Sequence, residues 1–305
     1  MSSSLPEGLS VRRITVADAP AINELVTAAD VAVQGWSESS EPELLGWWRM
    51  MDLGNSSWVL HKGGKIAAYG VGFAHGDALE LDGFVHPEHQ GRGLGAWLVA
   101  RAEERAYELG LPKLYAFSLA GDKRAHRLFE QFDMHELRRY YRMLIELDGP
   151  PPAPKWPDGM HVDTFQPEEA AAFHAALNAA FADEWNWVEM PFEQWHDLRM
   201  VKDPDFDPTL WFVVREGGRI AAVARNEPDR SGAGFVGAIG VLEPWRRRGI
   251  GLALLQHTFG EFYRRGQPRI ALGVDAENPT GATRLYERAG MHVAYEAVAY
   301  GKELA

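Results

Sequence analysis

Two short glycine loops hold the residues best suited to chemistry. Arg246-Arg247-Arg248-Gly249-Ile250-Gly251 follows an apolar run, Phe235 to Val241, and opens a helix-like run, Leu252 to Phe262. Gln90-Gly91-Arg92-Gly93-Leu94-Gly95 follows Leu79 to Val85 in the same manner, about half a chain earlier. A strand, a glycine loop and a helix start form an anion cradle. The first backbone N–H groups of a helix have no partners inside it, and the helix dipole favours negative charge there. Glycine at 249 and 251 lets a diphosphate approach the main chain closely.

Other polar groups invite weaker readings. Glu80 and Asp82 stand two apart, hence on one face of a strand. Asp183-Glu184-Trp185-Asn186-Trp187 gathers acids and tryptophans, a combination suited to a cationic amine, although a helix end packing its tryptophans inward fits equally well. His86 and His89 lack a third ligand in sequence, so no metal is expected. Asp203-Pro204-Asp205-Phe206-Asp207 lacks the glycine and terminal Glu of a calcium loop and reads as a turn. Asn278-Pro279-Thr280 has the proline that forbids a glycosylation sequon. No Ser-His-Asp arrangement can be read from sequence.

The elements that position these groups recur in a fixed order. Leu9 to Ile14 alternates as a strand, and Asp18 stands where it could cap a helix near Ala21 to Ala28. Trp58 to His61 and Lys65 to Tyr69 flank Gly63-Gly64 as a hairpin. After the strand Leu79 to Val85 and its loop, Leu94, Leu98, Ala102 and Ala106 mark one helix face, which Gly110 ends. A strand at Lys113 to Ser118, a helix near Arg124 to Gln131 and a strand at Tyr140 to Leu147 follow. The second half repeats the order. Met160 to Phe165 is a strand, Pro167 to Phe181 a helix, and Leu210 to Val214 with Arg219 to Ala224 a hairpin around Gly217-Gly218. Phe235 to Val241, the loop, a helix that Gly266 stops, a strand at Ile270 to Val274, a helix at Thr280 to Arg288 and a strand at Val293 to Tyr300 complete it. Asp148-Gly149-Pro150-Pro151-Pro152-Ala153-Pro154-Lys155-Trp156-Pro157 divides the halves, because prolines this dense exclude helix and central strand. A duplicated mixed α+β unit explains the long period better than one large domain. The expected domains are 1–148 and 158–305, joined by a linker at 149–157.

Composition sets bounds on function. The chain has 305 residues, no cysteine and a net charge of −12. Disulfides, thiolate metal sites and a cysteine nucleophile are excluded, and a cytoplasmic location is expected. An acidic protein is a poor partner for nucleic acid, and the arginines at 246 to 248 are sized for one small anion rather than a polyanion. No run of 18 apolar residues occurs, so no membrane span is expected. Met1-Ser2-Ser3-Ser4-Leu5-Pro6-Glu7 does not read as a secretory signal, lacking a basic stretch before an apolar core.

The pattern Gln/Arg-x-x-Gly-x-Gly/Ala between strand and helix, inside this order of elements, resembles the GNAT superfamily of acyl-CoA N-acyltransferases. Val274 to Met291, with Asn278, Leu285-Tyr286-Glu287 and Gly290-Met291, is similar to that superfamily's last conserved segment. A lone glycine loop would be weak evidence; the two segments together are specific. Two such domains in tandem are similar to the mycothiol synthase group. The resemblance implies an α+β fold: two GNAT-like domains, each a mostly antiparallel splayed sheet flanked by helices. It implies acetyl-CoA as acyl donor, with its pantetheine arm pairing along a free strand edge at Ile239, Gly240 and Val241. Residues Arg246, Arg247, Arg248, Gly249, Ile250, Gly251 and Leu252 would then hold the diphosphate, with the Arg246 and Arg248 side chains reinforcing the charge. Asn278 would contact the cofactor arm. Val85, Gln90, Gly91, Arg92, Gly93, Leu94 and Gly95 form the weaker counterpart in the first half.

Acetyl transfer to an amine needs a neutral amine, a polarised carbonyl and a proton for the departing thiolate. An alkylamine has a pKa near about 10.4 and a thiol near about 8.5, so the first must lose its proton and the second must gain one. Tyr286 stands where the family places its general acid. Setting Leu285-Tyr286-Glu287 against Leu128-Phe129-Glu130 puts Asn278 opposite Gly121 and Gly290 opposite Asp133. The first half lacks the hydroxyl and is expected to have lost efficient chemistry. Relatives such as mycothiol synthase have a Glu near Phe235, and Gly234 to Val241 holds no acid here. A base in the second half could come from Glu184, Glu189 or a water chain; Glu184, Trp185, Trp187, Glu80 and Asp82 are the candidates for substrate contact. The implied activity is acetylation of a small-molecule amine by a monomer or homodimer without nucleic acid or membrane. A non-catalytic acyl-CoA-binding or regulatory module is the alternative. A dinucleotide oxidoreductase is disfavoured, since Glu261 does not close a strand.

Overall fold

The computed structural model describes residues 5–230, 232–278 and 280–304. Residues 1–4 of the opening segment and Pro279 lie outside them.

The chain forms two compact units, Met1–Arg139 with Glu296–Ala305, and Tyr140–Tyr295. Its first elements are β1 (Ser10–Arg12), α1 (Ala19–Gln34), α2 (Glu41–Trp48), β2 (Ser57–Lys62), β3 (Lys65–His75), β4 (Ala78–Val85), α3 (Leu94–Leu109), β5 (Lys113–Leu119), α4 (Lys123–Gln131) and β6 (His135–Glu146). There follow β7 (Met160–Thr164), α5 (Ala170–Phe181), α6 (Phe192–His196), β8 (Trp211–Glu216), β9 (Arg219–Arg230), β10 (Ala233–Val241), α7 (Ile250–Arg264), β11 (Arg269–Asp275), α8 (Ala282–Arg288) and β12 (His292–Glu303).

The first unit orders its strands β1-β2-β3-β4-β5-β12, and the second β6-β11-β10-β9-β8-β7. Within each unit the pairs are antiparallel except β4 with β5 and β10 with β11, which are parallel. The units depart from the two sequence halves at their closing strands. Ala297 to Glu303 of β12 pair with Leu119 to Lys113 of β5, so 296–305 belongs to the first unit. Tyr140 to Glu146 of β6 pair with Asp275 to Arg269 of β11, so they belong to the second. Burial drives the exchange: Val298 and Tyr300 join the first core, Met143 and Ile145 the second. The proline stretch has no helix or strand and also lies in the second unit. There Trp156 packs beside Trp245 and Ile250.

Helix faces follow the sequence pattern. Leu94, Leu98, Ala102 and Ala106 are buried on α3. On α7, the spacing predicts Leu252, Leu255, Phe259 and Phe262 on one face. The last three are almost fully buried, whereas Leu252 is half-buried and Leu254 is buried in its stead, each full removal from water contributing about 1.5–3 kcal/mol. Asp18 differs from its expected part. Its side chain makes no cap hydrogen bond to α1; it closes a capping box with Thr15 and pairs with the Arg12 guanidinium at 2.5 Å. Gly63, Gly64, Gly217 and Gly218 take the positive φ that the two hairpin turns demand.

One feature recurs in both units. The parallel pairing of β10 with β11 covers only Gly234–Ile270 and Phe235–Ala271, yet β10 runs on to Val241. The pairing of β4 with β5 likewise ends at Leu81–Ala116, although β4 reaches Val85. Beyond these points the strands of each pair diverge and open a cleft toward their C-terminal ends.

Candidate active site

The second unit's cleft leads from Phe235 and Ala271 to the loop 246–249. Arg246 is extended, Arg247 is left-handed at φ 62°, and Gly249 is left-handed at φ 87° and serves as the N-cap of α7. Glycine has no side chain to cap the helix. Its carbonyl accepts the first helical bond from Ala253 N at 3.1 Å, so the amides of Ile250, Gly251 and Leu252 precede the hydrogen-bonded turns. Two of the three loop arginines are engaged elsewhere, while Arg247 is exposed. Arg246 donates to the Val241 carbonyl at 3.1 Å, the Ala180 carbonyl at 3.2 Å and Asp183 at 2.9 Å. Arg248 pairs with Glu216 at 2.6 Å, and Trp245 Nε1 donates to the same carboxylate at 2.8 Å. An anion at this loop would therefore meet main-chain N–H groups and the exposed Arg247 rather than the side chains of Arg246 and Arg248.

Gly240 on β10 shows why that position lacks a side chain. A Cβ there would stand 2.6 Å from the Ala180 Cβ and 3.2 Å from the Phe181 ring. The end of α5 is thereby drawn onto the strand, and the loop after α5 reaches the cleft. Ile239 packs with Trp245 and Ile250 under α7. Within the post-α5 loop, Glu184 accepts a hydrogen bond from the Asn278 side chain. Burial pushes the Glu184 carboxyl above its ordinary range, Asp275 adds to the rise, and Asn278 and Arg246 oppose it. Asn278 Oδ1 also accepts from Thr280 N at 2.8 Å, fixing the turn before α8. Tyr286, on α8, is 7% exposed. Burial raises its hydroxyl pKa first, and the nearby Glu184 charge second. Tyr286, Glu184, Asn278 and Arg246 thus lie in one electrostatic neighbourhood. Trp187 stacks on Phe181 at 4.9 Å and Trp185 lies 6.5 Å from Tyr140, so the loop's tryptophans dock it to α5 and β6.

Sequence inspection missed a buried pair on β9. Arg225 and Glu227 form an ion pair beneath the β10 bulge, where a Cβ on Gly237 would stand 2.9 Å from each. Glu227 faces Phe235 in register. A buried carboxylate thus stands one strand over from β10, paired with Arg225. The only signal was an apolar strand, Ile220 to Ala224, continuing into polar residues that are nonetheless buried.

In the first unit Gly91 (φ 73°) and Gly93 (φ 81°) repeat the loop geometry, and Gln90 accepts from Arg124. Arg92 lies between these glycines, and Leu94 is 2% exposed. Gly95 packs under Leu128 with Val85 alongside. Phe129 occupies the place of Tyr286 and packs on Tyr300 at 5.3 Å. Asp82 accepts a hydrogen bond from the buried Tyr69 hydroxyl. Burial lifts the Asp82 carboxyl to about 6, with Asp30 and Glu43 adding like charge. Glu80 approaches His75 at 3.9 Å. His86 accepts from Glu88 N and so caps its own turn. Among the described residues no three His, Cys, Asp or Glu side chains are grouped to hold a metal, and no helix is long and apolar enough to cross a membrane.

Comparison with known proteins agrees with this geometry. The acetyltransferase (GNAT) family matches twice, over residues 20–134 and 171–291. The chain is 32% identical over 293 residues to a mycothiol acetyltransferase of Thermobispora bispora, covering 91% of this chain and 95% of that one. A crystal structure of a GCN5-related N-acetyltransferase from Sphaerobacter thermophilus superposes with a TM-score of 0.86 and 38% identity, over 98% of this chain and 97% of that one. A tandem GNAT protein from the clavulanic acid biosynthesis pathway shares the fold at a TM-score of 0.74 and 16% identity, over 97% and 98% of the two chains.

Proposed function

The chain belongs to the acetyltransferase (GNAT) family, and we propose that its second unit moves an acetyl group from acetyl-CoA to the amine of a small molecule. The observation that carries this reading is the early end of the β10–β11 pairing, which leaves the edge from Val236 to Val241 leading to the uncapped start of α7. That edge matches the pantetheine arm, because amide groups pair with a free strand as another strand would. The amides at 250 to 252 match the diphosphate.

Acetyl-CoA, when bound, supplies a thioester carbonyl and a thiol leaving group. The chain supplies the rest. Main-chain N–H groups of β10 near the point of divergence polarise the carbonyl oxygen. Tyr286 keeps its proton across the working pH range, since burial raises its pKa, and gives it to the departing sulfur. Glu184 takes the proton from the incoming ammonium; its raised pKa brings it nearer to neutrality than an ordinary Glu. Asn278 orients Glu184 through its side-chain amide. The first unit keeps the cleft and loop but has Phe129 in place of the hydroxyl, so it binds acyl-CoA without efficient transfer.

The name of its bacterial relatives supports a small-molecule acceptor. Thiol release from acetyl-CoA across a panel of small amines tests the reading, with calorimetric titration of acetyl-CoA alongside. Acetyl-CoA binding with no thiol release for any amine would reject it.

A further inference from the structure

A hollow in the second unit opens beside β11, just past the last β10–β11 pair. Residues opposite one another share a face. Tyr140, Arg142 and Leu144 on β6 therefore share one with Asp275, Gly273 and Ala271 on β11, and Ala271 continues it to Phe235 on β10. Glu227 extends that face to β9. At Gly273 the β10–β11 pairing has already ended, so β11 is paired there only with β6. Gly273 is exposed, and a Cβ built on it would meet no atom within 4 Å. The absent side chain therefore leaves open space, whereas Gly234, Gly237 and Gly240 on β10 are crowded.

The walls of the hollow are charged and ordered. Arg142 stands opposite Gly273. Its guanidinium lies 4.8 Å from the Phe235 ring and 5.9 Å from the Tyr295 ring. Two aromatic faces hold the cation in place, which lowers the entropy lost when it grips a planar anion. One pleat further along the same face, about 7 Å by strand geometry, stands Asp275. Asp275 is buried and its charge is felt by Glu184. A cationic wall and an anionic wall thus stand one pleat apart beside the cleft. Phe235 belongs to both, closing the last β10–β11 pair and covering Arg142.

We propose that the hollow over Gly273 is the acceptor subsite, that Arg142 binds a carboxylate there, and that the acceptor is an amino-acid-like zwitterion. This rests on the proposed function, since it gives that site's acceptor its chemical class. The ammonium end points toward Asp275 and Glu184, where it loses its proton, and the carboxylate lies against Arg142. Phe235 then has a part of its own. A carboxylate at that position would repel the acceptor's anion, whereas the ring supports the guanidinium.

The test uses the full chain with acetyl-CoA and a panel of α-amino acids, each paired with its carboxamide and its decarboxylated amine. Thiol release should favour the carboxylate form by about tenfold or more in kcat/KM, the loss expected when a charge-assisted hydrogen bond is removed. Arg142→Gln should erase the preference by raising KM for the carboxylate form alone, and Arg142→Lys should restore part of it. Gly273→Val should raise KM for every acceptor while acetyl-CoA titration stays unchanged. Equal use of carboxylate and carboxamide by the unaltered protein overturns the subsite and leaves the acetyltransferase reading intact; this arm needs no variant to fold. A preference that survives Arg142→Gln, or loss of acetyl-CoA binding in Gly273→Val, also overturns it. Acetyl-CoA binding with no acetylation of any amine overturns the underlying reading and the subsite together.

Discussion

The Asn278 side-chain amide donates to the Glu184 carboxylate and ties the turn before α8 to the loop after α5. The bond stabilises the charged form of Glu184, while burial and Asp275 favour the neutral form. If Glu184 is the base, kcat/KM falls as pH drops through its pKa. Asn278→Ala removes the bond that lowers that pKa, so the acid limb should move to higher pH. Glu184→Gln should abolish the limb and lower kcat by about 10²-fold or more. Matched pH–rate profiles check both; a limb that stays in place in Glu184→Gln assigns the base elsewhere.

Tyr286→Phe removes one oxygen from a buried ring. The remaining ring still fills the space among Leu285, Ala289 and the sheet, so stability should change little. Turnover should fall by about 10²-fold or more while acetyl-CoA affinity holds. Steady-state rates and calorimetry on one preparation decide it; unchanged turnover removes Tyr286 from the mechanism.

Arg248 is paired with Glu216 and exposed. If main-chain amides carry the diphosphate, Arg248→Ala should weaken acetyl-CoA binding by no more than about threefold, the scale of an exposed ion pair. A loss of a hundredfold would show that the side chain leaves Glu216 to bind phosphate.

Gly240→Ala places a methyl 2.6 Å from the Ala180 Cβ. Since the neighbours are a short side chain and a ring, α5 must shift, at a cost of about 1–3 kcal/mol. Urea unfolding should show a lower midpoint, and kcat should fall with it because the same shift moves Glu184.

Asp82 binds its proton more tightly when folded, with a pKa raised to about 6 from the model-peptide value of 3.8. Below the unfolded pKa both states are protonated and the group is neutral in effect. As pH rises through the window to about 6 the unfolded state ionises first, so stability falls, by up to about 3 kcal/mol. Asp82→Asn should remove this loss. The variant should gain on the parent between about pH 4 and pH 6, then hold its advantage, when denaturation midpoints are compared. A difference that is flat in pH would refute it.

Local signals were legible, and long-range ones were not. The loops 90–95 and 246–251 could be placed because glycine and helix periodicity are written in adjacent residues. Tyr286 and Asn278 could be singled out by their motif, yet Asn278's bond to Glu184 spans 94 positions and leaves no trace in sequence. The Arg225–Glu227 pair looked like the polar end of a strand, and only its register beneath Gly237 shows it buried. α2 (Glu41–Trp48) escaped notice, since its mixture of Pro, Gly and paired tryptophans masks helical spacing. Conformation outlasted residue type in the first half: Asp133 and Gly290 both take positive φ, as do Gly91 and Arg247.

The exchanged strands bear on how the chain is made. Segment 140–295 is contiguous and has all its sheet partners once synthesis passes β12's first residues. The earlier segment 1–139 must wait for 296–303 to emerge before β5 gains its edge neighbour. Order of synthesis and order of completion are therefore reversed, and the N-terminal residues spend the longest interval with an open sheet edge, the state in which aggregation competes with folding. A nascent chain stalled before position 296 should be captured by chaperones through its N-terminal part, and a released chain should not.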